Sequence, residues 1–344
     1  MFQNVINKTR NFKKKSLTLQ IGFLMAFHDY SLIRATISFY HNMQEFIELQ
    51  KRCLSLLQSH TSCEHSCLNG FYCKQLGCNE CDCSRCINHI QWNSSPSFTY
   101  NCERITYQYV LRFFNRFASE IYYAISLYDM NNPKRINVVS LGCGPGSEIY
   151  GIIKALQQKK YNTVLYYEGY DPIESWGSVQ QLSKECLARL DHSIEFYASD
   201  LFKDFRGFDN GKVDLLILNY LLSDSVKFST KEKNTQFIEQ IHDFIIEHNI
   251  KNILFNDIGF YGDPSSLNSG FQLIRELILK LKDRGLNVED NYWCFKNNKF
   301  KGGEDWKEYK SDRLQFQDLD SNSFIENLGY CNSKQVFIHL NSAS

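Results

Sequence analysis

A chain of 344 residues with 43% hydrophobic and 15% aromatic side chains can bury a sizeable core, which excludes a globally disordered protein. Lys+Arg and Asp+Glu number 38 each, so the net charge is zero and overall charge gives no pull toward nucleic acid. The distribution is uneven: residues 1–116 carry 13 basic against 7 acidic side chains, which suits an anionic partner or a solvated basic face.

The first fifteen residues are basic and free of acids. They read as a basic tail leading into a helix, with an organellar presequence as the alternative. The apolar stretch Leu17–Phe27 is interrupted by Thr18, Gln20 and Gly22, is followed by no small-residue cleavage site, and is too short to span a bilayer. An intracellular protein, cytoplasmic or nuclear and without a membrane partner, is expected. Ile33 to Leu57 then reads as helical, with Ile37, Tyr40, Met43, Phe46, Ile47 and Leu54 on its apolar side, so residues 1–60 form an N-terminal helical region.

Thirteen cysteines are present, eight of them between Cys53 and Cys86. The dense part runs Cys63, Cys67, Cys73, Cys78, Cys81, Cys83, Cys86 and then His89. A disulfide framework needs an oxidising compartment, and nothing here signals export. Thiolates and imidazoles two to five residues apart suit a knuckle folded round a metal ion, so residues 61–92 are expected to hold one or two structural zinc ions. Two sites would divide the ligands as Cys63, Cys67, Cys73, Cys78 and Cys81, Cys83, Cys86, His89, with interleaved pairing equally allowed. An iron–sulfur cluster is the lesser reading. A Ser/Pro connector at Trp92–Ser97 follows. Ile105 to Tyr128 is then helical, with Tyr109, Phe113, Phe117, Ile121 and Ile125 as an aromatic and aliphatic stripe.

Asn137-Val138-Val139-Ser140-Leu141-Gly142-Cys143-Gly144-Pro145-Gly146-Ser147-Glu148 is the stretch around which the rest is organised. A β-branched run ends in alternate glycines, and Ile149, Ile152, Ile153 and Leu156 follow at helical spacing, giving strand, glycine turn, helix. Such a turn needs backbone angles a Cβ disfavours, and the helix start offers unpaired N–H groups to a ligand. Further strands are expected at Ile136–Leu141, Val164–Tyr170, Ile194–Ala198, Val213–Asn219, Asn252–Asp257, Asn291–Phe295 and Gln335–Leu340. Helices are expected at Ser175–Leu190, Thr235–His248 and Gly270–Lys282. This alternation predicts an α/β fold with a seven-stranded, mostly parallel sheet over residues 100–344, two closing antiparallel strands at one edge, and ligands at the carboxyl ends of the strands.

Leu-Gly-Cys-Gly-Pro-Gly resembles the first signature of class I S-adenosylmethionine-dependent methyltransferases. The third glycine comes one residue too early for the dinucleotide fingerprint. The resemblance implies S-adenosylmethionine at Gly142, Gly144 and Gly146, with the ribose hydroxyls on Asp171 (Glu168 in reserve) and the adenine amino group on Asp200. Asn219 would lie beside the methionine part. Tyr100, Arg104 or Tyr107, from the helix before the first strand, would lean over the cofactor. The bland alternative for each strand-end acid or amide is an Asx turn or helix cap. Two departures stand out. Ser140 replaces the acid usual before the first glycine, and Asn219-Tyr220-Leu221-Leu222 lacks the two prolines of exocyclic amino methyltransferases.

Methyl transfer asks the protein for alignment and, for some nucleophiles, a base. Tyr220, Asp224 and Asp257 are the candidates. The insertion at residues 296–333, between the last two strands, covers the substrate or is a solvated loop. A zinc knuckle in a basic N-terminal third makes RNA the first expected acceptor and protein the second. The competing reading is a catalytically inactive zinc- and S-adenosylmethionine-binding interaction module.

Overall fold

The computed structural model describes residues 30–59, 83–92, 100, 102–128, 131–208, 211–258, 270–296, 306–316 and 329–341. Contacts divide the chain into two units, Met1–Asn42 and Met43–Ser344. Of the first, the helical backbone from Tyr30 is described.

Helix α1 (Tyr30–Ser59) enters this unit at Met43 and puts Phe46, Leu49 and Cys53 into the core. Helix α2 (Cys83–Trp92) is short and lies against α3 (Glu103–Leu127). The alternation then follows: β1 (Arg135–Leu141), α4 (Ser147–Gln158), β2 (Val164–Tyr170), a 3-10 turn at Glu174–Trp176, α5 (Gly177–Leu187) and β3 (Ser193–Tyr197). The second half has α6 (Leu201–Asp204), β4 (Leu215–Asn219), α7 (Leu222–Phe228), α8 (Lys231–Glu247), β5 (Asn252–Asp257), α9 (Gly270–Asp283), β6 (Asn287–Cys294), β7 (Lys307–Glu308) and β8 (Lys334–Asn341).

The strands form one sheet in the order β3-β2-β1-β4-β5-β8-β6-β7. β1 to β5 are parallel, while β8 runs antiparallel to both β5 and β6. The order reverses between β1 and β4, which makes the carboxyl ends of these two strands the switch point. Alternating side chains separate two cores, as a period of two requires. Ile136, Val138, Leu165, Tyr167, Leu215, Ile217 and Leu254 face α1, α3, α4 and α5. Val139, Leu141, Leu216, Leu218, Ile253 and Phe255 face α7, α8 and α9. Helices α3 and α4 pack so closely that a Cβ on Gly151 would lie 2.4 Å from the Ala118 carbonyl oxygen.

Two expectations need correction. The sheet has eight strands, because Lys307–Glu308 adds to β6 from within the segment read as an insertion. Two residues are too few to show a period. β8 also lies inside the sheet, between β5 and β6, so the edge belongs to β7.

The zinc knuckle gains no support. Cys63, Cys67, Cys73, Cys78 and Cys81, and the side chain of His89, lie outside the described residues. Cys83 and Cys86 stand on α2 and are buried; Cys86, Ile87 and Ile90 pack against Ile105, Phe113 and Phe117. Cysteines three apart fit a helix face as well as a metal site, and here they follow the helix. Among the described residues no three Cys, His, Asp or Glu groups are placed to hold a metal ion, and no helix is long and apolar enough to cross a membrane.

Candidate active site

All three glycines of the turn are left-handed, with φ of +65° at Gly142, +48° at Gly144 and +76° at Gly146. The N–H of Gly142 donates to the Tyr170 carbonyl at 2.8 Å, tying the turn to the end of β2. Each glycine faces a large apolar side chain. A Cβ on Gly142 would come within 2.7 Å of Leu221, and one on Gly146 within 2.8 Å of Phe196. One on Gly144 would meet Trp176 at 3.6 Å, an ordinary contact. Tyr109 stands 5.1 Å and Tyr100 5.4 Å from the Trp176 ring, centre to centre.

Asp171 is turned into the turn. Its Oδ2 accepts from Gly144 N at 2.9 Å and its Oδ1 from Ile173 N at 2.9 Å. Burial pushes its pKa up to about 6 against the opposing pull of these two bonds. Each oxygen keeps one lone pair for a further donor. Glu168, the reserve acid, accepts from the Tyr170 hydroxyl at 2.7 Å. Asp200 caps α6, accepting from Phe202 N at 3.1 Å and pairing with Lys203 at 3.2 Å. That is the helix-cap use of an acid after a strand.

From the other side of the switch point come Asn219, Tyr220, Asp224 and Asp257. Asp257 accepts from Ser223 N at 2.9 Å and Ile258 N at 2.7 Å, and burial raises its pKa. Burial, followed by the charge of Asp257, lifts Asp224 to about 7. The charge of Lys227 opposes this rise at Asp224. Tyr109, on α3, feels the field of these acids. Burial first, then the charges of Asp224, Asp171, Glu148 and Asp257, hold its phenol well above the usual range. Tyr220 gives its hydroxyl to Glu120 at 2.9 Å.

Three groups were not singled out in the sequence. Glu148 sits beside the place of the missing acid: Ser140, Tyr167 (2.7 Å) and Ser147 (3.4 Å) all donate to its carboxylate, which is completely buried. Gln180 Nε2 donates to the Gly144 carbonyl at 2.8 Å. Glu120 lies on α3 among residues that read as a packing stripe. Only the placement of Glu148, first after Ser147 in the helix, carried any hint.

The donor set fits the cofactor that the resemblance implies. Asp171 keeps acceptor capacity at the centre of the turn, Leu221, Trp176 and Phe196 pack against its three glycines, and the acids nearby suit a cation, with Lys227 acting against it at Asp224.

The sequence matches no protein-family model and no curated protein. Among solved structures it is similar to the magnesium protoporphyrin IX methyltransferase of Synechocystis, solved with S-adenosylmethionine bound. The identity is 14%, 75% of this chain and 91% of that one are covered, and the TM-score is 0.37. It is also similar to the human methyltransferase 10 domain containing protein, with 9% identity, coverage of 65% and 81%, and a TM-score of 0.37. An O-methyltransferase of tomaymycin synthesis from Streptomyces achromogenes gives 11%, 75% and 89%, and 0.35. These structure neighbours are methyltransferases.

Proposed function

We propose that the chain is a class I S-adenosylmethionine-dependent methyltransferase. The observation that carries this reading is the bond from Gly144 N to Asp171, made at the switch point of a doubly wound sheet. It leaves a carboxylate with spare lone pairs at the centre of a glycine turn, where a nucleoside's vicinal hydroxyls would meet it. Trp176, Phe196 and Leu221 supply apolar contacts for the base and sugar. Asp224 and Asp257, with the ring of Tyr109, place negative potential where a sulfonium would lie. Asn219 borders the amino-acid end. Asp200 is kept as the proposed adenine contact, through the acceptor capacity its cap leaves.

S-adenosylmethionine, when bound, supplies an activated methyl group and a neutral thioether leaving group. The chain's own part is to align the acceptor and to take its proton where the nucleophile carries one. Asp224 is the best placed base, because a carboxyl titrating near 7 is divided between its two forms at neutral pH. RNA is the first proposed acceptor and protein the second. Zinc on the cysteine-rich segment is a separate proposal; elemental analysis after anaerobic purification giving well under one metal per chain removes it.

Radiolabelled cofactor incubated with the protein and fractionated RNA and protein tests the reading. Label in either fraction, absent with Asp171→Ala, is expected. No label in any fraction, with no binding of the cofactor, overturns it.

A further inference from the structure

Behind the glycine turn runs a buried chain of hydrogen bonds that joins two carboxylates. At one end Glu120, on α3, is completely buried. It accepts from Asn332 N at 2.8 Å, Tyr220 Oη at 2.9 Å and Asn256 Nδ2 at 3.1 Å. Asn256, on β5, has its oxygen taken by two donors, Ser333 Oγ at 2.6 Å and Gln335 Nε2 at 2.8 Å. Its amide nitrogen therefore points the other way, and its second hydrogen goes to Asn219 Oδ1 at 2.8 Å. Asn219 in turn donates from Nδ2 to Ser147 Oγ at 3.3 Å, and Ser147 donates to Glu148, the carboxylate at the far end.

Burial raises the pKa of both Glu120 and Glu148 while the donors on them favour the ionised form, which only accepts; together with Gln335 Nε2, held at 2.8 Å on the Glu120 main-chain carbonyl, the two ends set the direction of the bonds between them. Amide orientation is assigned from such partners, and here they leave one choice for each amide. Asn256 must give its nitrogen to Glu120 and its oxygen to Ser333 and Gln335. Asn219 must then turn its oxygen toward Asn256 and its nitrogen toward the glycine turn. Glu120 also holds the residue next in sequence. Tyr220 has φ of +56°, a region that non-glycine residues avoid, with its N–H on the Asn256 carbonyl at 2.7 Å and its ring 3.9 Å from that of Phe117.

We infer that Glu120 is a positioning residue: its buried carboxylate fixes the amide polarity of Asn256 and Asn219 and the backbone of Tyr220, so that the end of β4 presents nitrogen to the turn. The structural part stands on geometry alone; its consequence for ligand affinity rests on the proposed function.

Glu120→Gln tests this with almost no change of volume. With its oxygen on Asn332 N, the new NH2 faces the NH2 of Asn256, so Asn256 must lose a bond or flip, and a flip sets oxygen against Asn219 Oδ1. The side-chain amide resonances of Asn219 and Asn256, assigned with Asn219→Ala and Asn256→Ala, read the change in the full-length protein without ligand. Both are expected to move in Glu120→Gln; an unmoved Asn219 amide in the folded variant overturns the proposal. If Glu120→Gln does not fold, Glu120→Asp takes its place, since the shorter side chain draws the carboxylate away from Asn256 Nδ2, and unmoved Asn256 and Asn219 amides are the contrary result. With S-adenosylhomocysteine as probe, affinity is expected to fall about tenfold in Glu120→Gln, and adding Asn219→Ala to it is expected to cost little more. Additive losses contradict the coupling. If the wild type binds no S-adenosylhomocysteine, the functional reading fails while the resonances still decide the role of Glu120.

Discussion

Gly144 N donates to Asp171 Oδ2 at 2.9 Å, which makes the centre of the glycine turn and the end of β2 a single unit. The same carboxylate orders its own loop through Ile173 N. Asp171→Asn leaves one of these two N–H groups facing an NH2, a loss of about 1–3 kcal/mol of local interaction. Binding of S-adenosylhomocysteine is expected to weaken at least about tenfold in Asp171→Asn and to be undetectable in Asp171→Ala, measured by calorimetry.

The glycines differ in what surrounds them, and their alanine variants should differ in order. Gly144→Ala meets Trp176 at an ordinary distance, so only its left-handed backbone is penalised, by about 1–2 kcal/mol. Gly146→Ala adds a 2.8 Å contact with the Phe196 ring, for roughly 1–3 kcal/mol more. Gly151→Ala drives a Cβ to 2.4 Å from a backbone oxygen of α3 and is expected to be the most destabilising, although its backbone is helical. Urea unfolding of the three variants checks this ranking.

Asp171 and Asp224 titrate at about 6 and about 7 in the fold, against 3.8 for a free aspartate. The native state therefore holds these protons more tightly than the unfolded chain. Their contribution is fully favourable below about pH 4 and is lost as pH rises through 6 and 7. Asp224→Asn removes one of the two, so its melting temperature is expected to exceed that of the wild type at pH 8 and to converge with it near pH 4. Each kcal/mol regained corresponds to roughly 2–4 °C. Calorimetry across this range gives the answer.

The same acids should favour a cation. S-adenosylmethionine carries a sulfonium where S-adenosylhomocysteine carries a neutral sulfur. The ratio of their affinities is expected to rise from about pH 5.5 to about pH 8 as Asp224 ionises, and to lose most of that rise in Asp224→Asn. A flat ratio in the wild type would place the sulfur away from this carboxylate.

Much of the architecture was legible. β2 and β5 stand where their patterns put them, at Val164–Tyr170 and Asn252–Asp257, because runs buried on both faces are continuous in apolar residues. The glycine turn was legible because a β-branched run stops at alternate glycines. β7 was not, since two residues show no period. Helix α2 was hidden by its cysteines, whose spacing of three serves a metal knuckle or a helix face alike. Within the site, Asp171 followed from its place at a strand end. Glu120 did not: its partners Tyr220, Asn256 and Asn332 lie 100 or more residues away, and only the folded sheet brings them to α3.

Titration of the wild-type protein and of Gly144→Arg with S-adenosylhomocysteine in a calorimeter tests the central claim most directly. Gly144 is buried with a left-handed φ of +48°, so an arginine there is strained, and its side chain starts toward Trp176, across the place proposed for the nucleoside. One-to-one binding by the wild type, abolished in a variant that still unfolds cooperatively, is the predicted result. No heat from the wild type, or equal binding by both proteins, would contradict a nucleoside seated on the glycine turn.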